Sequence, residues 1–176
     1  MIVKIVIIGD TQVGKTSLSM RYADQTFQYE YIKTIGTNFF MKNITFSSSE
    51  ATLLIWDLAG DEPFGKLRPL FYHGAFGALL VFDVTNHISY THLEKWLTEL
   101  RENVPQKIPS VLVANKMDLP ATEWKVSEQE IQSFANEHGL PYLMTSAKDN
   151  ENVKSAFSQL IKDMGNFIPD ITNSEE

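Results

Sequence analysis

Gly9-Asp10-Thr11-Gln12-Val13-Gly14-Lys15-Thr16 follows directly on the apolar run Ile2–Ile8. The octapeptide fits G-x-x-x-x-G-K-[ST], a phosphate-binding loop, and it stands where that loop must, between a strand and the start of a helix. Its glycines let backbone N–H groups close around phosphates. The helix N-terminus adds positive dipole, Lys15 a cation and Thr16 a hydroxyl ligand for Mg2+. Gly9, Asp10, Thr11, Gln12, Val13, Gly14, Lys15, Thr16 and the adjoining Ser17 are therefore candidate phosphate-binding residues. A kinase, an ATPase and a GTPase must all hold a triphosphate tail, so the loop alone does not choose among them. A plain glycine-rich turn is the alternative.

Outward from the loop, short apolar runs alternate with helical stripes, which predicts a mostly parallel sheet covered on both faces. Strands are expected at Ile2–Ile8 and residues 76–82, 110–114 and 141–144. Tyr90, Leu93, Trp96, Leu97 and Leu100 share one helix face, and Val153, Ala156, Phe157, Leu160, Ile161 and Met164 share another. Ser127 with Glu130 three residues on is a capping box opening a third helix. Residues 38–45 and 51–56 read as a hairpin, which adds one antiparallel strand to an α/β sheet of about six strands.

The 176 residues carry 15 Lys+Arg against 22 Asp+Glu, a net charge of −7, and 43% of them are hydrophobic. This size and composition suit one domain, expected over residues 1–169 with a frayed polar tail at 170–176. The acidic balance and the lack of a Lys/Arg cluster argue against a nucleic-acid polymer as partner. Zero cysteines exclude disulfides, a cysteine nucleophile and Cys-ligated zinc. No apolar run reaches the ~20 residues of a membrane span. His73, His87, His92 and His138 show no metal-ligand spacing.

Asn115-Lys116-Met117-Asp118 follows the strand at 110–114 and resembles the guanine-reading N-K-x-D motif of the small GTPases. A carboxylate accepts two hydrogen bonds side by side from the N1–H and amine of guanine, an edge that adenine lacks. The resemblance gives that role to Asp118, stacking along the base plane to Lys116 and the tie to the phosphate loop to Asn115. Ser146-Ala147-Lys148 resembles the family's S-A-K motif, in which the Ala147 N–H would donate to the guanine carbonyl. Phe27 matches an aromatic that packs across the base, and ordinary core packing is its other reading.

Asp57-Leu58-Ala59-Gly60 is similar to D-x-x-G, and Thr34-Ile35-Gly36-Thr37 to the preceding switch segment. By that resemblance Thr16 and Thr34 ligate Mg2+ directly, Asp57 does so through water, and the Gly60 N–H meets the γ-phosphate. Loss of that phosphate releases both loops. The likeness extends from Ile2 to about Met164, with the flavour of the Rab branch of the Ras superfamily: T-I-G-T-N-F, L-L-I-W-D, F-Y-H-G-A and F-D-V-T-N. It implies a P-loop G domain that binds GTP and GDP with Mg2+ and hydrolyses GTP. Phe39, Trp56 and Tyr72 fall on three aromatic positions of the effector surface, with sheet-face packing as the alternative.

One departure touches mechanism. The family's water-orienting glutamine is here Asp61, which is shorter, only accepts hydrogen bonds when ionised, and carries negative charge toward a triphosphate. Slower intrinsic hydrolysis is expected, unless Asp61 swings outward and another group places the water. The candidate catalytic residues are thus Lys15, Thr34, Gly60 and Asp61. A rival reading is a GTP-loaded effector-binding module with negligible turnover. A small-molecule kinase would leave N-K-x-D and S-A-K without a role. Gln12 and Thr11 make the phosphate loop bulkier than in many relatives, and Gln12 is expected to face solvent. Effectors, an exchange factor and a GTPase-activating protein are the partners implied for a monomeric, cytoplasmic protein. No lipidation cysteine is present, so any peripheral membrane attachment would come from a tail outside this chain or from a partner.

Overall fold

The computed structural model describes residues 1–24, 35–46 and 49–172. Six strands form one sheet in the order β2-β3-β1-β4-β5-β6. They are β1 (Ile2–Ile8), β2 (Thr37–Phe46), β3 (Ser49–Leu58), β4 (Gly77–Asp83), β5 (Ser110–Asn115) and β6 (Tyr142–Thr145). All neighbours pair in parallel except β2 with β3, whose register places Phe39 opposite Trp56. Alternation along β1 sends Val3, Ile5 and Ile7 to one face and Val6 and Ile8 to the other. The first set packs under α1 (Lys15–Asp24) and α6 (Val153–Thr172). The second packs under α4 (Leu93–Asn103) and α5 (Glu128–His138). Parallel strands have their carboxyl ends on one edge, so the loops after β1, β3, β4, β5 and β6 assemble there.

The α5 capping box forms as its sequence suggests, the Glu130 N–H donating to the Ser127 hydroxyl and the Ser127 N–H to the Glu130 carboxylate, and Gly139 closes the helix at φ +64°. Three features differ from expectation. The stripe from Tyr90 to Leu100 is two helices, α3 (His87–Thr91), capped by the Asn86 side chain, and α4, joined at His92. Residues 68–72 form a short helix, α2 (Arg68–Tyr72), too brief to show a period. The α6 backbone continues to Thr172, past the point at 170 where fraying was expected. Among the described residues no helix is long and apolar enough to cross a membrane.

Candidate nucleotide site

The phosphate loop joins β1 to α1. Gly14 adopts φ +102°, and a Cβ there would lie 2.2 Å from the Asn115 amide nitrogen. Only glycine serves at such a position. Gln12 takes a left-handed φ of +66° and is exposed, in keeping with its expected orientation. Asp10 and Thr11 stand in the same loop, and Val13 buries its side chain in the core. The Lys15 ammonium is buried and donates to the Gly9 carbonyl at 2.8 Å and the Asp10 carbonyl at 2.6 Å. Burial lowers its pKa from 10.5 to about 8, opposed by the nearby charges of Asp57, Asp10 and Asp61. The Asp61 carboxylate thus lies within the electrostatic reach of Lys15.

Thr16, in the first turn of α1, donates its hydroxyl to Asp57 Oδ2, and Asp57 is fully buried at the end of β3. A hydroxyl and a carboxylate meeting beside a helix N-terminus are hard oxygen donors of the kind that Mg2+ prefers, so these residues fit that ion. Ser17 follows, half-buried, on the same turn. Gly60 packs on the phosphate loop so tightly that a Cβ would come within 2.4 Å of the Thr11 backbone nitrogen and 2.5 Å of the Asp10 carbonyl carbon. Thr34 and Phe27 lie outside the described residues.

Asn115, buried at the end of β5, holds three segments together. Its Nδ2 donates to the Val13 carbonyl at 2.9 Å, and its Oδ1 accepts from the Thr145 hydroxyl at 2.9 Å and the Ala147 N–H at 3.3 Å. The Ser146 hydroxyl donates to Asp118 Oδ1 at 2.8 Å and so orients the half-buried carboxylate. Lys116, at φ +70°, pairs with Asp83 at 2.6 Å. Asp83 also accepts from the Thr85 N–H and hydroxyl at 2.8 and 2.7 Å, which explains the spacing in F-D-V-T-N. Arg21, at the end of α1, donates to the carbonyls of Ala147 and Lys148 at 2.9 and 2.7 Å. Thr145, Asp83 and Arg21 were not singled out by sequence. A basic residue in a helix's last turn reads simply as a favourable charge near the dipole.

Tyr72 corrects the expected aromatic surface. It is buried rather than exposed, because its hydroxyl donates to Glu99 at 2.8 Å in a cluster with Arg68. Burial, then the Glu99 charge, raises its phenol pKa far above the ordinary value. Arg68 is buried too, and its Nε and Nη2 donate to the two Glu99 oxygens at 2.7 and 3.0 Å. A third nitrogen, Nη1, donates to the Asp61 carbonyl at 2.9 Å. Phe39, 55% exposed, meets Trp56 edge-on at 4.6 Å, and Phe71 rather than Tyr72 lies against Trp56 at 5.7 Å.

The sequence model of the Ras family matches residues 4–166. Among curated relatives, the Ras-related protein Rab-13 of Bos taurus is 37% identical over 161 residues, covering 92% of this chain and 79% of the relative. RABE1e of Arabidopsis thaliana is 35% identical, covering 93% and 75%. Rab-1D of Dictyostelium discoideum is 37% identical, covering 96% and 82%. With a family match across nearly the whole chain and identities above a third, the chain belongs to the Ras family as a Rab-like small GTPase, a GTP-binding switch.

Proposed function

We propose that this chain is a Rab-type switch of membrane trafficking whose GTP-bound state is lengthened by Asp61. The observation that carries the nucleotide assignment is the joining, by the Asn115 side chain, of the phosphate loop at Val13, the end of β6 at Thr145 and the base-side loop at Ala147. Asp118 accepts the two guanine donors, Lys116 lies along the base with Phe27 across it, and the Ala147 N–H, held only at 3.3 Å by Asn115 Oδ1, would be shared with the guanine carbonyl. Gly9 through Ser17 cradle the phosphates. Thr16 and Thr34 would hold Mg2+ directly and Asp57 through water, and the ion would neutralise charge on the phosphate oxygens. Catalysis is then positioning and electrostatics. Lys15 balances phosphate charge, the Gly60 N–H meets the transferring group, and Asp61 stands where a water-orienting glutamine would serve better.

A GTP-holding module without appreciable turnover is the second reading. Asp61 favours it, as do the exposed apolar side chains of Ile35, Leu70 and Phe39, at 80%, 70% and 55% exposure. Effectors would dock on Phe39 and Trp56, and exchange and activating proteins would set the nucleotide state of a monomer. Membrane association would be peripheral. Single-turnover cleavage of bound GTP separates the two readings: measurable phosphate release supports the switch, and none over many hours supports the static module.

A further inference from the structure

Asp10 carries a charge that a triphosphate site does not need. Only its backbone takes part in the phosphate-loop pattern, and its carboxylate adds negative charge beside the place where phosphates bind. Yet both carboxylate oxygens are taken from α4's direction. Trp96 Nε1 donates to Oδ1 at 2.7 Å, and His92 Nδ1 meets Oδ2 at 2.7 Å. Trp96 is 3% exposed, so its N–H has been buried for this partner. The Asp10 carbonyl, in turn, is one of the two on which the Lys15 ammonium rests.

The other side of Trp96 faces the segment after D-x-x-G. The Arg68 guanidinium lies over its ring at 4.5 Å and is held by Glu99, also on α4, while donating to the Asp61 carbonyl. One helix therefore grips the phosphate loop through Asp10 and the neighbouring switch through Arg68. Gly60, just before that segment, packs directly on the phosphate loop at Asp10 and Thr11.

We propose that Asp10 is a positioning residue, pinned from α4 by Trp96 and His92, that aims the phosphate-loop carbonyls carrying Lys15 and thereby sets how long nucleotide stays bound. This rests on the guanine-nucleotide reading of the site. Charge and positioning predict opposite signs. If Asp10 acted only as a negative charge near phosphates, removing it would slow nucleotide release. If it positions Lys15, removing it speeds release.

The test is dissociation of N-methylanthraniloyl-GDP from the full chain with Mg2+, alongside thermal unfolding of each variant. Losing two hydrogen bonds to a charged group should make release about tenfold or more faster in Asp10→Ala, and about threefold or more faster in Trp96→Phe and in His92→Ala. Asp10→Asn should stay within about threefold of the parent, because the amide oxygen still accepts from Trp96 and its N–H can donate to His92 in the other tautomer. Release that is slower or unchanged in Asp10→Ala, or equally fast in Asp10→Asn and Asp10→Ala, overturns the proposal. So do unchanged rates in both Trp96→Phe and His92→Ala, which carry the test by themselves if Asp10→Ala does not fold. A lowered Tm with parental release rates means a merely structural contact and also overturns it. Failure of the parent chain to bind the GDP derivative would refute the nucleotide reading instead.

Discussion

Replacing Asp61 by glutamine should accelerate hydrolysis of bound GTP. The Asp61 backbone is fixed by the hydrogen bond from Arg68, and its carboxylate acts on Lys15 electrostatically. Under the proposed nucleotide reading Lys15 would balance γ-phosphate charge, so the same carboxylate would act on that phosphate. Two unit charges ~4 Å apart at an effective dielectric near 20 interact by ~4 kcal/mol. Mg2+ and Lys15 would offset most of this, and a surviving third, ~1.4 kcal/mol, corresponds to one decade in rate. Glutamine removes that repulsion and adds an amide that donates to the phosphoryl group while its carbonyl orients water. The assay is single-turnover phosphate release from preloaded protein at saturating Mg2+, with Asp61→Asn as companion. Asparagine relieves the charge without restoring reach, so its rate should fall between the other two. Equal rates for the parent and Asp61→Gln would refute the reasoning.

Three further outcomes follow from the geometry. Asp118→Ala removes the acceptor of two charge-assisted hydrogen bonds and should weaken GDP binding by about a hundredfold or more, read by titration calorimetry. Glu99→Ala leaves Arg68, 1% exposed, as a buried cation without its carboxylate. It should cost about 3 kcal/mol or more and lower Tm by roughly 10 °C in a scanning melt. For Lys15, with its folded pKa lowered to about 8 from 10.5, the folded and unfolded chains are both protonated below that value. Between the two values the unfolded chain holds the proton that the folded one has lost, so ligand-free stability rises with pH in that window. Bound phosphates restore the proton. Binding near pH 8.5 should therefore take up about three-quarters of a proton and near pH 6.5 almost none, measured by calorimetry in buffers of different ionisation enthalpy.

The phosphate loop, N-K-x-D, S-A-K and D-x-x-G were legible because each chemistry is carried by residues adjacent in sequence. The strands that deliver them follow from apolar runs and a mostly parallel sheet. The hairpin's antiparallel pairing was legible from its polar turn. What escaped depends on partners far away along the chain. Arg68, Tyr72 and Glu99 look like two switch residues and one exposed helical charge, and only the fold brings them into one buried cluster across 31 residues. The burial of Tyr72 could not be read for that reason. Trp96 belonged to a recognisable apolar stripe, yet its N–H reaches Asp10 across 86 positions, and nothing local to His92 announced its contact with the same carboxylate. Arg21 reaches 126 positions ahead to the Ala147 carbonyl, a contact with no local signal.

The central claim is that the carboxyl edge of this sheet selects guanine nucleotides, and competition measures that directly. The chain is loaded with a fluorescent GDP derivative, and unlabelled GTP or ATP is added with Mg2+. GTP should displace the probe near stoichiometric amounts while ATP fails at about a thousandfold excess, since adenine offers Asp118 no paired donors. Displacement by ATP at comparable concentrations would contradict the assignment of Asp118 and Ala147 as readers of the base.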